Sequence, residues 1–377
     1  MALTDATLQR MRERAAGYDR ENTFPDEDLA DLRAAGYLKP RPLAEVLRDQ
    51  RRLAAYAPAT ALAINMHLVW VGVARVLAER GDESLRWVLD AADAGEVFAF
   101  GISEAGNDSV LWDSRTRADR VDGGYAFTGT KIFTSLAPAW TWLGVFGRQD
   151  AGDGTEDGPR LVHGFVHRAE PGVDPEGVTT LDDWNPLGMR ASQSRSTVLD
   201  GVVVPDERVS RFLPVGPNAD PFIFGIFTNF LLGIAAVYAG IGDRALELAV
   251  EAVQRRRSQR TGRPYAENPD LRWRIADMAL ALDPIAPELE ALAADVDGLV
   301  DRGDRWFRDL VGAKHRATET ARTVVDQALR CAGGAGYTAT TELSRLQRDV
   351  LAGIYHPSDT ESVHETVAAA LLGPLPS

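Results

Sequence analysis

The chain has 377 residues, 45% of them hydrophobic and 25% charged, which excludes a disordered or fibrous polymer and leaves room for two or three packed units. Its 41 Lys and Arg against 55 Asp and Glu give a net charge of −14, which argues against nucleic acid and anionic membranes as partners. Cys331 is the single cysteine, so neither an intramolecular disulfide nor a thiolate-rich metal centre can form, and a reducing cytoplasm fits.

The opening residues MALTDATLQRMRERAAGYDR mix charges with apolar positions and read as a helix, not as a secretory leader or lipidation signal. Helical periodicity continues to about Gly95, broken at Pro25, 36–42, Pro58 and Gly81. From 98 to 205 the texture changes to short apolar runs such as YAFTGTKIF, WTWLGVFGR and RLVHGFVHR, divided by Gly, Asp and Pro, which predicts strands. After VGPNADP the helical period returns, with segments near 225–257, 270–300 and 312–330; Pro284 and Pro287 should bend or interrupt the middle one. The stretch 221–242 is free of charge and long enough to span a bilayer. Its acidic flanks Asp220 and Asp243, with Thr228, Asn229 and four glycines inside it, predict a helix buried on all sides and no membrane span. Helices, then strands, then helices again describe an α+β chain, mainly α, divided at 1–97, 98–212 and 213–377. No glycine fingerprint for a dinucleotide or a nucleoside triphosphate is present.

Hydrolytic chemistry has no anchor: there is no G-x-S-x-G elbow, and Cys331 has no His or Asp near it in sequence. Six histidines are scattered, and the group His356, Asp359, Glu361 and His364 does not form H-E-x-x-H, so no metal site is expected. His364 reads as a solvated helix position.

Three segments carry more information: GISEAGNDS at 101–109, GYAFTGTKIFTS at 124–135 and PLGMRASQSRSTVLDGVVVPDERV at 186–209. A fourth, CAGGAGYTATTELSRLQRDV at 331–350, joins a glycine turn to an Arg-Asp pair. In this order the four resemble the acyl-CoA dehydrogenase superfamily of flavoproteins over nearly the whole chain. The resemblance implies an N-terminal helical domain, a middle β-barrel-like domain and a C-terminal four-helix bundle. It implies FAD or FMN as cofactor and a homotetramer or homodimer. An isoalloxazine ring needs an apolar slot and hydrogen-bond donors at one edge. By resemblance Phe133 is the aromatic wall and Ser135 the hydroxyl at N5, while Phe100, Ile102, Ser103 and Ser109 wrap the ring and its neighbouring loop. Gly333, Gly334 and Gly336 suit close backbone approach to a phosphate and equally a plain helix end; the resemblance turns them toward a flavin held by a neighbouring subunit. Ser358 completes the cofactor set.

The sequence also departs from the family. Acyl-CoA dehydrogenases take an α-proton with a carboxylate, yet the base position here is His356, in the run Ile354, Tyr355, His356, Pro357, Ser358. The alternative location, the long helix FGIFTNFLLGIAAVYAG, holds no acid. The family's R-x-x-F-G-x-P element falls on Ser258, Thr261, Gly262, Arg263 and Pro264, without its arginine and phenylalanine, and the acidic loop carries Asp108 and Val110. A histidine and a hydroxyl at the flavin resemble the oxygen-using monooxygenases of the superfamily, fed with reduced flavin by a reductase. There, an imidazole titrating near neutrality serves as acid and base. On this reading His356 and Ser135 are catalytic and the substrate is a small aromatic or heteroatom compound. His67, on an apolar stripe, is either a third pocket residue or a core histidine bonded to a carbonyl. The alternatives are a divergent dehydrogenase of an acyl thioester, working with an electron-transfer partner, and a flavin-binding scaffold without turnover.

Overall fold

The structure, a computed structural model, describes residues 3–152 and 158–373. Five helices come first: α1 (Asp5–Glu21), α2 (Asp26–Ala34), α3 (Leu43–Ala54), α4 (Pro58–Glu79) and α5 (Arg86–Asp93). The strands follow as β1 (Phe98–Gly101), β2 (Arg117–Val121), β3 (Gly124–Thr134), β4 (Trp142–Gln149), β5 (Arg160–His167), β6 (Val178–Thr180), β7 (Arg195–Pro205) and β8 (Val209–Pro214). The chain then returns to helices as α6 (Pro221–Arg255), α7 (Pro269–Leu282), α8 (Ile285–Asp297), α9 (Arg305–Ala332), α10 (Glu342–Val350) and α11 (Thr360–Leu372).

Local chemistry fixes the helix ends. Thr4 accepts from the Thr7 N–H to start α1, and Asn22 ends it with φ 54°. Asp220 accepts from the Phe222 N–H, and Pro221 contributes the preset φ of a first-turn proline to α6. Pro284 separates α7 from α8, as its missing N–H requires.

The strands form one sheet in the order β6-β7-β3-β2-β4-β5-β8, with β1 parallel to β4 off that path. Helix α4 docks on it through Trp70, whose indole N–H donates to the Ala99 carbonyl at 2.9 Å and whose ring packs on Phe100, Phe165 and Phe222. Helix α6, whose first 22 residues carry no charge, packs inside the protein against α3, α4 and α9, with that stretch mostly buried. A Cβ at Gly240 would stand 2.2 Å from the Arg51 carbonyl oxygen of α3, so only glycine allows this approach. Two helices, α4 and α6, are long and apolar enough to cross a membrane, and both spend that surface on the core.

Beneath β1 and β3 lies a buried ion pair. Lys131 Nζ donates to Glu104 Oε1 and to the Phe146 carbonyl, each at 2.7 Å. Glu104 also accepts from the Ser114 and Thr116 hydroxyls and from the Arg115 and Thr116 amides. Burial opposes the charge on Glu104, but Lys131 and these donors outweigh it and hold the carboxyl at about 2. Lys131→Met leaves a buried, unpaired carboxylate and should cost about 3–5 kcal/mol in urea unfolding. The double variant with Glu104→Gln should recover much of that loss; a single variant as stable as wild type would remove the pair from the account of stability.

Candidate active site

A cavity of about 300 Å³ lies where α4, α6, the ends of β1 and β3, the segment before β7 and the segment after α10 converge. Its walls are mostly apolar: Leu62 and Met66 from α4, Phe230 from α6, Phe100 from β1, and Trp184 with Leu187 and Met189 from the loop ahead of β7. Polar groups enter at three places, as Ser103, as the pair Ser135 and Ser194, and as Arg348 with His356.

Strain marks this region. Phe133, Leu136, Met189 and Gln193 all have left-handed φ between 43° and 68°, a conformation that costs a non-glycine residue about 1–2 kcal/mol. The register of β3 against β7 shifts between Lys131 and Thr134, and this irregularity turns Phe133 out of the sheet. Phe133 is 51% exposed and meets Trp184 edge to face with ring centroids 6.2 Å apart. Exposing a strained aromatic ring is unfavourable unless a ligand covers it. Gly188 permits the loop to lie on α10, since a Cβ there would stand 2.2 Å from the Arg348 carbonyl oxygen. The Met189 N–H donates to Asp349 at 2.6 Å across the same contact.

The serines form a hydrogen-bonded chain. Ser135 Oγ lies 2.7 Å from Ser194 Oγ, which lies 2.7 Å from Ser192 Oγ. Ser192 is fully buried, and among the described residues Ser194 is the one partner of its hydroxyl. Either oxygen of each pair can be the donor; when Ser192 donates to Ser194 and Ser194 to Ser135, the Ser135 proton is left for the cavity. A hydroxyl that already accepts is the stronger donor. An apolar slot, an uncovered aromatic face and a preset donor fit the isoalloxazine ring of a flavin, with Phe100, Ser103, Phe133 and Ser135 as the residues to hold it.

His356 lines the cavity, and its Nε2 lies 3.0 Å from the Tyr238 hydroxyl. Lys314 anchors the loop that presents it, donating to the carbonyls of Gly353, His356 and Ser358 at 3.2, 3.2 and 3.0 Å. Burial, with the Lys314 charge second, pushes His356 down to about 3, so the imidazole is neutral at physiological pH and not the near-neutral titrating group expected from sequence.

Among the described residues no Asp or Glu lines the cavity. Asp359 caps α11 by accepting from the Ser362 N–H, and Glu361 is exposed on that helix. Among the described residues no group of three or more His, Cys, Asp or Glu could hold a metal. Cys331 is buried, which raises its thiol above the ordinary range.

The other expected residues lie elsewhere. His67 is a core histidine, not a pocket residue: its Nε2 meets the Leu38 carbonyl at 2.8 Å, its Nδ1 accepts from the Phe98 N–H at 3.2 Å, and burial pushes it down to about 4. Ile102 is buried behind the wall, and Ser109 is on an exposed turn outside the cavity. Ser358, with φ 59°, gives its carbonyl to Lys314. Gly333 ends α9 with φ 65°, and neither it nor exposed Gly334 reaches the cavity of this chain. Sequence reasoning missed Ser194, Trp184, Arg348 and Lys314. The first three lie in or next to segments that stood out, but nothing local marked Lys314.

The family model described as acyl-CoA dehydrogenase, C-terminal domain, matches residues 232–358. The L-evernosamine nitrososynthase of a Micromonospora species is 31% identical over 376 residues, covering 93% of this chain and 84% of that protein. The X-ray structure of KijD3 in complex with FMN and dTDP-3-amino-2,3,6-trideoxy-4-keto-3-methyl-D-glucose superposes with a TM-score of 0.81 at 29% identity, covering 98% of this chain and 92% of that one. The butyryl-CoA dehydrogenase of Megasphaera elsdenii shares the fold, with a TM-score of 0.81 at 20% identity and 99% coverage of both chains.

A histidine held neutral in the fold stabilises fully above pH 6.5, and that contribution declines as pH falls toward the folded value near 3. Wild type should therefore lose roughly 1–2 kcal/mol more than His356→Gln between pH 7 and pH 5 in parallel urea titrations. Equal losses would mean that the imidazole titrates freely.

Proposed function

Because the chain belongs to the acyl-CoA dehydrogenase superfamily of flavin-dependent oxidoreductases, we propose that it works as an oxygen-using monooxygenase. The cofactor is FMN or FAD, and the substrate is a small molecule. The observation that carries the oxygenase reading is that, among the described residues, no carboxylate is part of the cavity wall. A dehydrogenase must remove a proton from a carbon acid at this face, and a neutral imidazole with a folded pKa of about 3 is too weak a base for that task. The similarity to a nitrososynthase and to an FMN- and amino-sugar-binding protein supports oxidation at a heteroatom, with an amine as the first substrate class to try.

When bound, reduced flavin supplies two electrons to dioxygen; one oxygen atom enters the substrate and the other leaves as water. The chain's own residues carry the rest. Ser135 presents its proton to the ring edge, with Ser194 and Ser192 fixing its direction. Phe133, Trp184 and Leu187 shut bulk water away from the ring face, which keeps reducing equivalents from being wasted. His356, oriented by Tyr238 and by the Lys314 clamp, holds a hydrogen bond to the oxygen being transferred or to the substrate heteroatom. It does so as a neutral imidazole, with one ring nitrogen to donate a hydrogen bond and the other to accept one. A separate flavin reductase, a homo-oligomeric assembly and a cytoplasmic location complete this reading.

The test supplies reduced FMN from a generic reductase and follows oxygen uptake and product formation with a panel of amines, including nucleotide-linked amino sugars, and with acyl-CoA thioesters. Amine-dependent uptake with incorporation of labelled oxygen is expected, and His356→Ala should lower it about 10²-fold with little change in flavin affinity. Reduction of bound FAD by an acyl-CoA in the absence of oxygen would reverse the assignment.

A further inference from the structure

A second cavity, of about 530 Å³, lies between α1 and the start of α10, and Arg348 is part of its wall as well as of the first. In a chain of net charge −14, this cavity is lined by five arginines and two carboxylates. Both carboxylates already have bidentate partners. Asp19 holds Arg348 at 2.9 and 2.5 Å, and Glu342 holds Arg244 at 3.0 and 2.9 Å.

What remains is cationic, and two of its guanidinium groups are only partly partnered. Arg345 is 94% buried by its 6% exposure, yet its guanidinium makes no hydrogen bond to any described residue, and its nearest carboxylate oxygen, on Glu342, is 4.0 Å away. Arg12, across the cavity on α1, donates to the Ala55 carbonyl at 3.1 Å and stacks on the Tyr56 ring, but its Nε has no hydrogen-bond partner among the described residues and lies 3.9 Å from Glu342. The charge of Arg345 is offset in part by Glu342 and by Asp349 of the same helix, but its buried Nε–H has no acceptor, a cost that an anion in the cavity would remove. Its planar fork matches the oxygens of a phosphate better than those of any neutral ligand. Thr340 and Thr341 add hydroxyls at the N-terminal end of α10.

We propose that this pocket binds a phosphate-bearing anion, held by Arg345 and Arg12. The shared Arg348 places the anion one side chain away from the reaction cavity. The phosphate belongs either to the far end of the substrate or to an independent ligand, and both use the same contacts. The inference stands without the oxygenase reading, because neither arginine lines the first cavity.

Titration of the full chain with inorganic pyrophosphate and with dTDP, followed by calorimetry, tests it. Saturable binding is expected, weakened at least tenfold in Arg345→Met and in Arg12→Met, with the melting temperature of Arg345→Met unchanged or raised. Arg345→Lys, which keeps the charge without the fork, should recover part of the affinity. If pyrophosphate displaces a dTDP-linked amino sugar, the phosphate is the substrate's handle; if the two bind together, the site is independent; either supports the proposal. No saturable binding, or equal binding in Arg345→Met, overturns it. So does a change of oligomeric state in Arg345→Met by sedimentation, which would assign the pocket to a contact between copies of this chain.

Discussion

The buried pair of Lys131 and Glu104 is the interaction on which the rest of the site depends. Glu104 ends the segment that carries Phe100 and Ser103, while Lys131 precedes Phe133 and Ser135 on β3. Joining the two charges at 2.7 Å fixes both halves of the cavity floor relative to one another. Neither charge could be buried alone, since the interior offers no water to replace a missing partner. The pair thus turns two strands into one platform, and the irregularity at Lys131 to Thr134 is tolerated because the strand is anchored immediately before it.

That anchoring explains how strain collects where it does. Two non-glycine residues in left-handed conformations, Phe133 and Met189, line the cavity, and two more, Leu136 and Gln193, follow them closely in the chain. Trp70 locks α4 to β1, and the close approach of Gly188 to α10 locks the loop that carries Met189. The result is a rigid rim around an uncovered aromatic face, suited to a planar ligand whose faces are apolar and whose edge wants a donor.

Charge is distributed with equal economy. Among the described residues no acid lines the first cavity, whose polar side chains are neutral hydroxyls, a neutral imidazole and one arginine. Lys314 holds the His356 loop through three carbonyls and at the same time disfavours a second positive charge on the imidazole. On the far side of Arg348 the balance is reversed, with five arginines around the second cavity and the Nε groups of Arg12 and Arg345 left without a hydrogen bond.

Much of this was legible in the chain itself. Apolar periodicity and Pro and Gly punctuation located the helical and strand regions, because those signals are local. The runs at 101–109, 124–135 and 186–209 identified a flavoprotein family, and the resemblance pointed to Phe100, Ser103, Phe133 and Ser135, all four of which line the cavity. The position of His356 and the lack of an acid beside it were equally readable. Tertiary structure alone decided what those groups are: burial made His356 neutral, packing drew His67 into the core with Leu38 and Phe98, and strand pairing brought Ser192 and Ser194 to Ser135 from far along the chain. The pairing or abandonment of a charge such as Arg345 depends on distances between segments hundreds of residues apart, and no local pattern in the sequence encodes it.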